Sequence, residues 1–93
     1  MQPIRDTATN VLRDLLAAQP NTIAKVEFAW RLAAGPAMAR ATTIAWNSRG
    51  ALIVRARDAE WRREVAHART TIAQRLGRML GPGVVTAIHV EED

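Results

Sequence analysis

The sequence predicts an α+β domain with the order helix, helix, strand, strand, helix, strand. Long segments with apolar residues at helical spacing alternate with short segments rich in β-branched residues, which is typical of this class. Clusters rich in glycine, proline and asparagine separate the segments: Pro20-Asn21-Thr22, Asn47-Ser48-Arg49-Gly50 and Gly81-Pro82-Gly83, with a softer break at Gly35-Pro36. With 93 residues, 48% of them hydrophobic and 24% charged, residues 1–93 are expected to form one globular domain with an acidic end at 91–93.

The first two helices are predicted from apolar spacing and from their ends. Residues 5–19 carry Val11, Leu12, Leu15 and Leu16 at helical spacing, and Pro20 stops the helix. The second helix begins after an N-cap at Asn21 or Thr22 and ends near Gly35. Its apolar stripe is Ile23, Val26, Trp30 and Ala33. Pro36 permits a short new helical turn over residues 37–39.

The third helix has the clearest signals. Asp58 is a suitable N-cap, and the Gly81-Pro82-Gly83 cluster ends the helix. One apolar stripe runs between them: Trp61, Val65, Ala68, Ile72, Leu76 and Met79. We expect the stripe from Trp61 to Leu76 to pack on alternate apolar residues of two strands, Leu52, Val54, Ile88 and Val90.

Three strands are predicted, at residues 42–47, 51–57 and 84–90. The short Asn-Ser-Arg-Gly connection contains glycine, so the first two strands should form an antiparallel hairpin. In the second strand, Arg55 and Arg57 fall on the side opposite to Leu52 and Val54.

Catalytic, metal and cofactor sites are not indicated. The sequence has no cysteine, and its only serine, Ser48, lies in the predicted hairpin turn. His67 and His89 lie on different elements without a carboxylate at fixed spacing, whereas a zinc site needs three or four convergent ligands. No apolar run approaches the length of about 18 residues that spans a bilayer. We therefore expect a cytoplasmic protein that is not an enzyme, with no cofactor, no small-molecule substrate and no membrane contact.

The arginines are the candidate functional residues. Twelve of the thirteen basic residues are arginine, and the net charge is +4. The last three residues are all acidic. Without them the chain has thirteen basic and six acidic residues, a net charge of +7. Four arginines lie around the corner between the second strand and the third helix: Arg55, Arg57, Arg62 and Arg63. They are either a contact for nucleic-acid phosphates or a solvated surface paired internally with Asp58, Glu60 and Glu64.

The tryptophans lie on three different elements. Trp30 and Trp61 fall on apolar helical stripes, so both are expected in the core. Trp46 lies beside the hairpin turn, where it is either a core residue or a partly exposed surface for base stacking or partner docking.

Several of these features occur in an order that resembles the DciA-like family. The matching residues are Trp30, Gly35-Pro36, Gly50-Ala51-Leu52-Ile53-Val54, Trp61, Glu64-Val65, Leu76 and Gly81. The family pattern is a tryptophan before Gly-Pro, a Gly-x-Leu-x-Val strand, a tryptophan opening the next helix and a late leucine before a final strand. The resemblance covers about residues 12–90.

The resemblance implies a KH-like fold, with helices packed against a three-stranded sheet. It also implies a bacterial replication protein that contacts the DnaB-type replicative helicase and DNA, is associated with the nucleoid and has no catalytic activity of its own. The Gly-x-x-Gly loop of true KH domains is absent, and acids rather than a basic extension follow the last predicted strand. We therefore expect weak, sequence-independent DNA binding centred on Arg55, Arg57, Arg62 and Arg63. The alternative is a free-standing RNA- or DNA-binding module that takes no part in helicase loading.

Overall fold

The computed structural model describes residues 21–92. In chain order its elements are α1 (Ile23–Ala34), α2 (Pro36–Arg40), β1 (Thr42–Trp46), β2 (Ala51–Ala56), α3 (Ala59–Leu80) and β3 (Ala87–Glu92). This order, α-α-β-β-α-β, and the three-stranded sheet confirm the predicted α+β class. The helix predicted for residues 5–19 lies outside the described residues, and the short turn predicted after Pro36 is α2.

The sheet is mixed, with the strand order β1-β2-β3. β1 and β2 form the predicted antiparallel hairpin, in which Ile44 lies opposite Val54. β2 and β3 are parallel, with Leu52 opposite Ile88 and Arg55 opposite Glu91. A parallel pair needs a long crossover connection, and α3 provides it.

Among residues 21–92, the helices cover one face of the sheet and leave the other face open. Along β2 the side chains of Leu52, Val54 and Ala56 are buried, whereas Arg55 is exposed. Ile88 in β3 is buried on the same side, and His89 is exposed. The core is one cluster of buried residues from α1, β2, α3, β3 and the loop before β3: Val26, Ala29, Trp30, Ala33, Leu52, Val54, Val65, Ile72, Leu76, Leu80, Val84 and Ile88.

Two residues predicted in apolar stripes lie outside this cluster. Trp61 is half-buried, so the core stripe of α3 begins at Val65. At the Trp61 end of the sheet the strand residues on the helix side are Ala56 and Glu92, which offer little apolar area. Ile23 is 43% exposed, because the buried face of α1 begins one turn later. The rest of the predicted contact between α3 and the strands is confirmed, with Ala68 and Val90 partly buried against the cluster.

Trp46 is partly buried and contributes to the packing of the fold. Its ring packs against the core cluster, and its Nε1 donates a hydrogen bond to the backbone oxygen of Val84 at 2.8 Å. Trp30 is buried as predicted, and its Nε1 donates to Thr42 Oγ1 at 3.0 Å. Both polar ring atoms therefore have partners, as buried indole groups require.

The last strand begins and ends later than predicted, at Ala87–Glu92 instead of residues 84–90. Residues 84–86 are held by the hairpin instead, since Trp46 bonds to Val84 and the backbone N–H of Thr86 donates to Gly50 O at 2.8 Å. At the other end Glu91 and Glu92 extend the ladder opposite Arg55 and Ala56. The two glutamates are therefore part of the sheet and not a tail that follows it.

Gly50 lies in close contact with the segment before β3. Its φ is +89°, which an L side chain rarely adopts. A Cβ at this position would lie 2.8 Å from Thr86 Oγ1 and 3.0 Å from Thr86 N. Only glycine fits both constraints.

We expect Leu76→Ala to lower the free energy of unfolding by about 2–5 kcal/mol, because the side chain is fully buried and its loss leaves a cavity. Leu32→Ala is the matched control, since Leu32 is 45% exposed on α1, and it should cost less than about 1 kcal/mol. Urea denaturation measures both. Equal losses of unfolding free energy in the two variants would contradict the burial of Leu76 in the core.

We expect Gly50→Ala to destabilise the fold by about 2 kcal/mol or more, because both the backbone angle and the contact with Thr86 oppose a side chain. Gly77→Ala is the control. Gly77 lies inside α3 with open space around it, so alanine there should stabilise by about 0.5–1 kcal/mol. Thermal or chemical denaturation measures the change in stability of each variant. A Gly50→Ala variant as stable as the unchanged chain would show that the hairpin does not support residues 84–86.

Candidate nucleic-acid interface

The corner between β2 and α3 places the four candidate arginines. Arg55 lies in β2, Arg57 directly follows it, and Arg62 and Arg63 lie near the start of α3. Asp58 fixes the corner as the predicted N-cap, because its Oδ1 accepts a hydrogen bond from the backbone N–H of Trp61 at 2.8 Å. The start of α3 is therefore fixed by a local hydrogen bond next to the arginines.

Arg55 projects from the open face of the sheet and pairs with Glu91. The parallel register puts the two residues opposite each other on neighbouring strands. Arg55 Nε lies 3.4 Å from Glu91 Oε2, and the two side chains are 60% and 52% exposed. This is a cross-strand ion pair in contact with solvent.

Arg62 reaches the same end of β3 from the helix side. Its Nε lies 3.6 Å from Glu92 Oε1. Successive residues of a strand point to opposite faces, so the Glu91 side chain lies on the open face of the sheet and the Glu92 side chain on the helix side. The end of β3 therefore presents one carboxylate to each of two arginines on different elements.

The other two arginines have different surroundings. Arg57 Nε lies 3.7 Å from Asp58 Oδ2, a pair between sequence neighbours. Arg63 is exposed and makes no ion pair with residues 21–92. The structure thus gathers Arg55 and Arg62 around the end of β3, with Arg57 and Arg63 beside them, but the four do not lie on one flat face.

The acidic partners differ from those that the sequence indicated. Glu60 and Glu64 lie among the arginines in sequence, yet neither forms an ion pair within the described part of the chain. Glu91 lies 36 positions from Arg55 in the sequence and Glu92 lies 30 positions from Arg62, and β-sheet pairing brings them together. The apolar alternation of the last strand stops at Val90, and residues 91–93 are all acidic, so the strand predicted to end at Val90 missed these partners.

Within residues 21–92 no three His, Asp or Glu side chains are grouped so that they could hold a metal ion. None of the helices described combines the length and apolar character of a membrane span.

A comparison with protein-family models shows the family of this chain. It matches the model of the family described as "Dna[CI] antecedent, DciA" over residues 3–90. The chain belongs to the DciA family. A search of curated proteins found no match to this chain. The family resemblance inferred from the tryptophans and glycines is therefore confirmed.

DciA-family membership assigns a role of the DnaB helicase-loader type in DNA replication. In this DciA-family chain the arginine corner is polar: the large hydrophobic residues exposed among residues 21–92 are Ile23, Phe28 and Leu32, all on α1. At the corner the four arginines are exposed, and the half-buried Trp61 lies beside Arg62.

Proposed function

We propose that this chain is a non-enzymatic adaptor in bacterial DNA replication that contacts both the DnaB-type helicase and DNA. The family match over residues 3–90 carries the proposal. Such a protein would act in the cytoplasm, at the nucleoid. An adaptor of this kind needs a protein-binding surface and a DNA-binding surface, and no reaction of its own.

We assign DNA contact to Arg55, Arg57, Arg62 and Arg63. Their guanidinium groups are charged at every physiological pH and offer a fork of donors that suits phosphate. All four are exposed. Reading a base sequence would need side chains held rigidly against base edges, whereas these arginines come from a strand, a corner and a helix start. The contact is therefore with phosphates and is independent of sequence.

The ion pairs at the corner favour weak binding rather than no binding. Strong charge-assisted hydrogen bonds have N···O distances of about 2.7–2.9 Å, whereas the three arginine pairs here lie at 3.4 to 3.7 Å. Exposed pairs of this kind contribute about 0–1 kcal/mol each. A phosphate group can therefore replace a carboxylate at modest cost, and the arginines remain available.

We expect Arg55→Ala/Arg57→Ala to weaken DNA binding equally for unrelated sequences, because it removes two phosphate contacts. For the unchanged chain, three or four contacts give a log–log salt slope of about −3 to −4 on duplex DNA, and the double variant should flatten it by about 2. Fluorescence anisotropy at several salt concentrations measures both quantities.

The control for this experiment is Arg69→Ala/Arg78→Ala, which removes the same charge from exposed positions elsewhere on α3. It should change the affinity much less. If both double variants lose the same affinity, net charge rather than the corner controls binding. A strong preference for one DNA sequence would contradict a purely phosphate contact.

We expect the chain to co-elute with the hexameric DnaB-type helicase on size exclusion at micromolar concentrations. The Arg55→Ala/Arg57→Ala variant should co-elute as well, if the helicase surface is separate from the DNA surface. Absence of a complex with a folded sample, together with retained nucleic-acid binding, would favour the free-standing RNA- or DNA-binding module.

A further inference from the structure

We propose that the end of β3 is an autoinhibitory element, in which Glu91 and Glu92 compete with DNA phosphates for Arg55 and Arg62. The inference rests on the proposed DNA contact and adds its regulation. Two observations carry it: the ion pairs of Arg55 with Glu91 and of Arg62 with Glu92, and the sheet register that holds both glutamates in place.

The two glutamates cannot move away from the arginines as a flexible acidic tail would. Both lie in β3 and extend the parallel ladder, Glu91 opposite Arg55 and Glu92 opposite Ala56. Because successive strand residues point to opposite faces, one carboxylate is presented on each side of the sheet. The carboxylates therefore stay at the arginine corner whether or not DNA is present.

This arrangement opposes binding in two ways. A phosphate must first displace a carboxylate from the guanidinium group of Arg55 or Arg62. The displaced carboxylates then remain within a few ångströms of the incoming phosphate, where like charges repel and screening by salt is incomplete. The guanidinium groups keep Nη donors outside these pairs, since the close contacts are made through Nε. Binding is thus lowered but not abolished.

The test is the affinity of Glu91→Gln/Glu92→Gln for a mixed-sequence DNA duplex. Glutamine keeps the size of the side chain and removes the charge, so β3 should be retained, which circular dichroism and a thermal melt verify. We expect affinity to rise by about three- to tenfold at 50 mM salt, since two exposed ion pairs no longer compete. The salt slope should become steeper by about 1–2, because more counterions are released.

Glu60→Gln/Glu64→Gln is the matched control. It changes the net charge by the same amount at the same end of α3, but neither residue is ion-paired with the described residues. It should raise the affinity for DNA by about twofold or less, because the removed charges act on DNA only through long-range electrostatics that salt screens. Equal gains in the two double variants would overturn the inference, because net charge and not pairing would then explain the effect.

A double-mutant cycle separates this inference from the proposed function. If Glu91 masks Arg55, Arg55→Ala should reduce DNA affinity by a larger factor in the Glu91→Gln background than in the unchanged chain. Equal factors in both backgrounds would overturn the masking while leaving DNA contact by Arg55 intact. No DNA binding by the unchanged chain or by Glu91→Gln/Glu92→Gln would instead overturn the proposed DNA contact itself.

Discussion

The parallel pairing of β2 with β3 is the constraint on which the rest of the structure depends. A parallel neighbour cannot be reached by a tight turn, so the chain must cross over through α3. The crossover brings Val65, Ile72 and Leu76 onto Leu52 and Ile88 and so builds the core. The same register places Glu91 and Glu92, at the end of β3, beside Arg55 of β2 and Arg62 of α3. Fold and candidate site therefore follow from one pairing.

Local signals made most of the fold predictable. Asp58 and Gly81 delimit α3 because a cap and a left-handed glycine act within a few residues of the chain. The hairpin was predictable for the same reason, because a short connection that contains glycine joins its two strands. The start of β3 was misplaced because contacts distant in sequence, from Trp46 to Val84 and from Thr86 to Gly50, remove residues 84–86 from the ladder. Propensity alone cannot distinguish a strand from a segment that tertiary hydrogen bonds hold in extended form.

The candidate site was predictable in part. Exposure of the arginines follows from their alternation with Leu52 and Val54 in β2 and from the polar side of α3. Their partners could not be found in the same way, since proximity in sequence favours Glu60 and Glu64. Side-chain direction decides the outcome: the sheet turns Glu91 and Glu92 towards Arg55 and Arg62. Which acid meets which base is therefore a property of strand register.

Stability and electrostatics are carried by different parts of this domain. The core is an apolar cluster, and burying one large aliphatic side chain stabilises by about 1.5–3 kcal/mol. The arginine pairs are about half exposed, and exposed ion pairs each contribute about 0–1 kcal/mol. Loss of an ion pair at the corner would therefore cost the fold little. A charged surface of low energetic cost above an apolar core is compatible with the DNA contact that we propose.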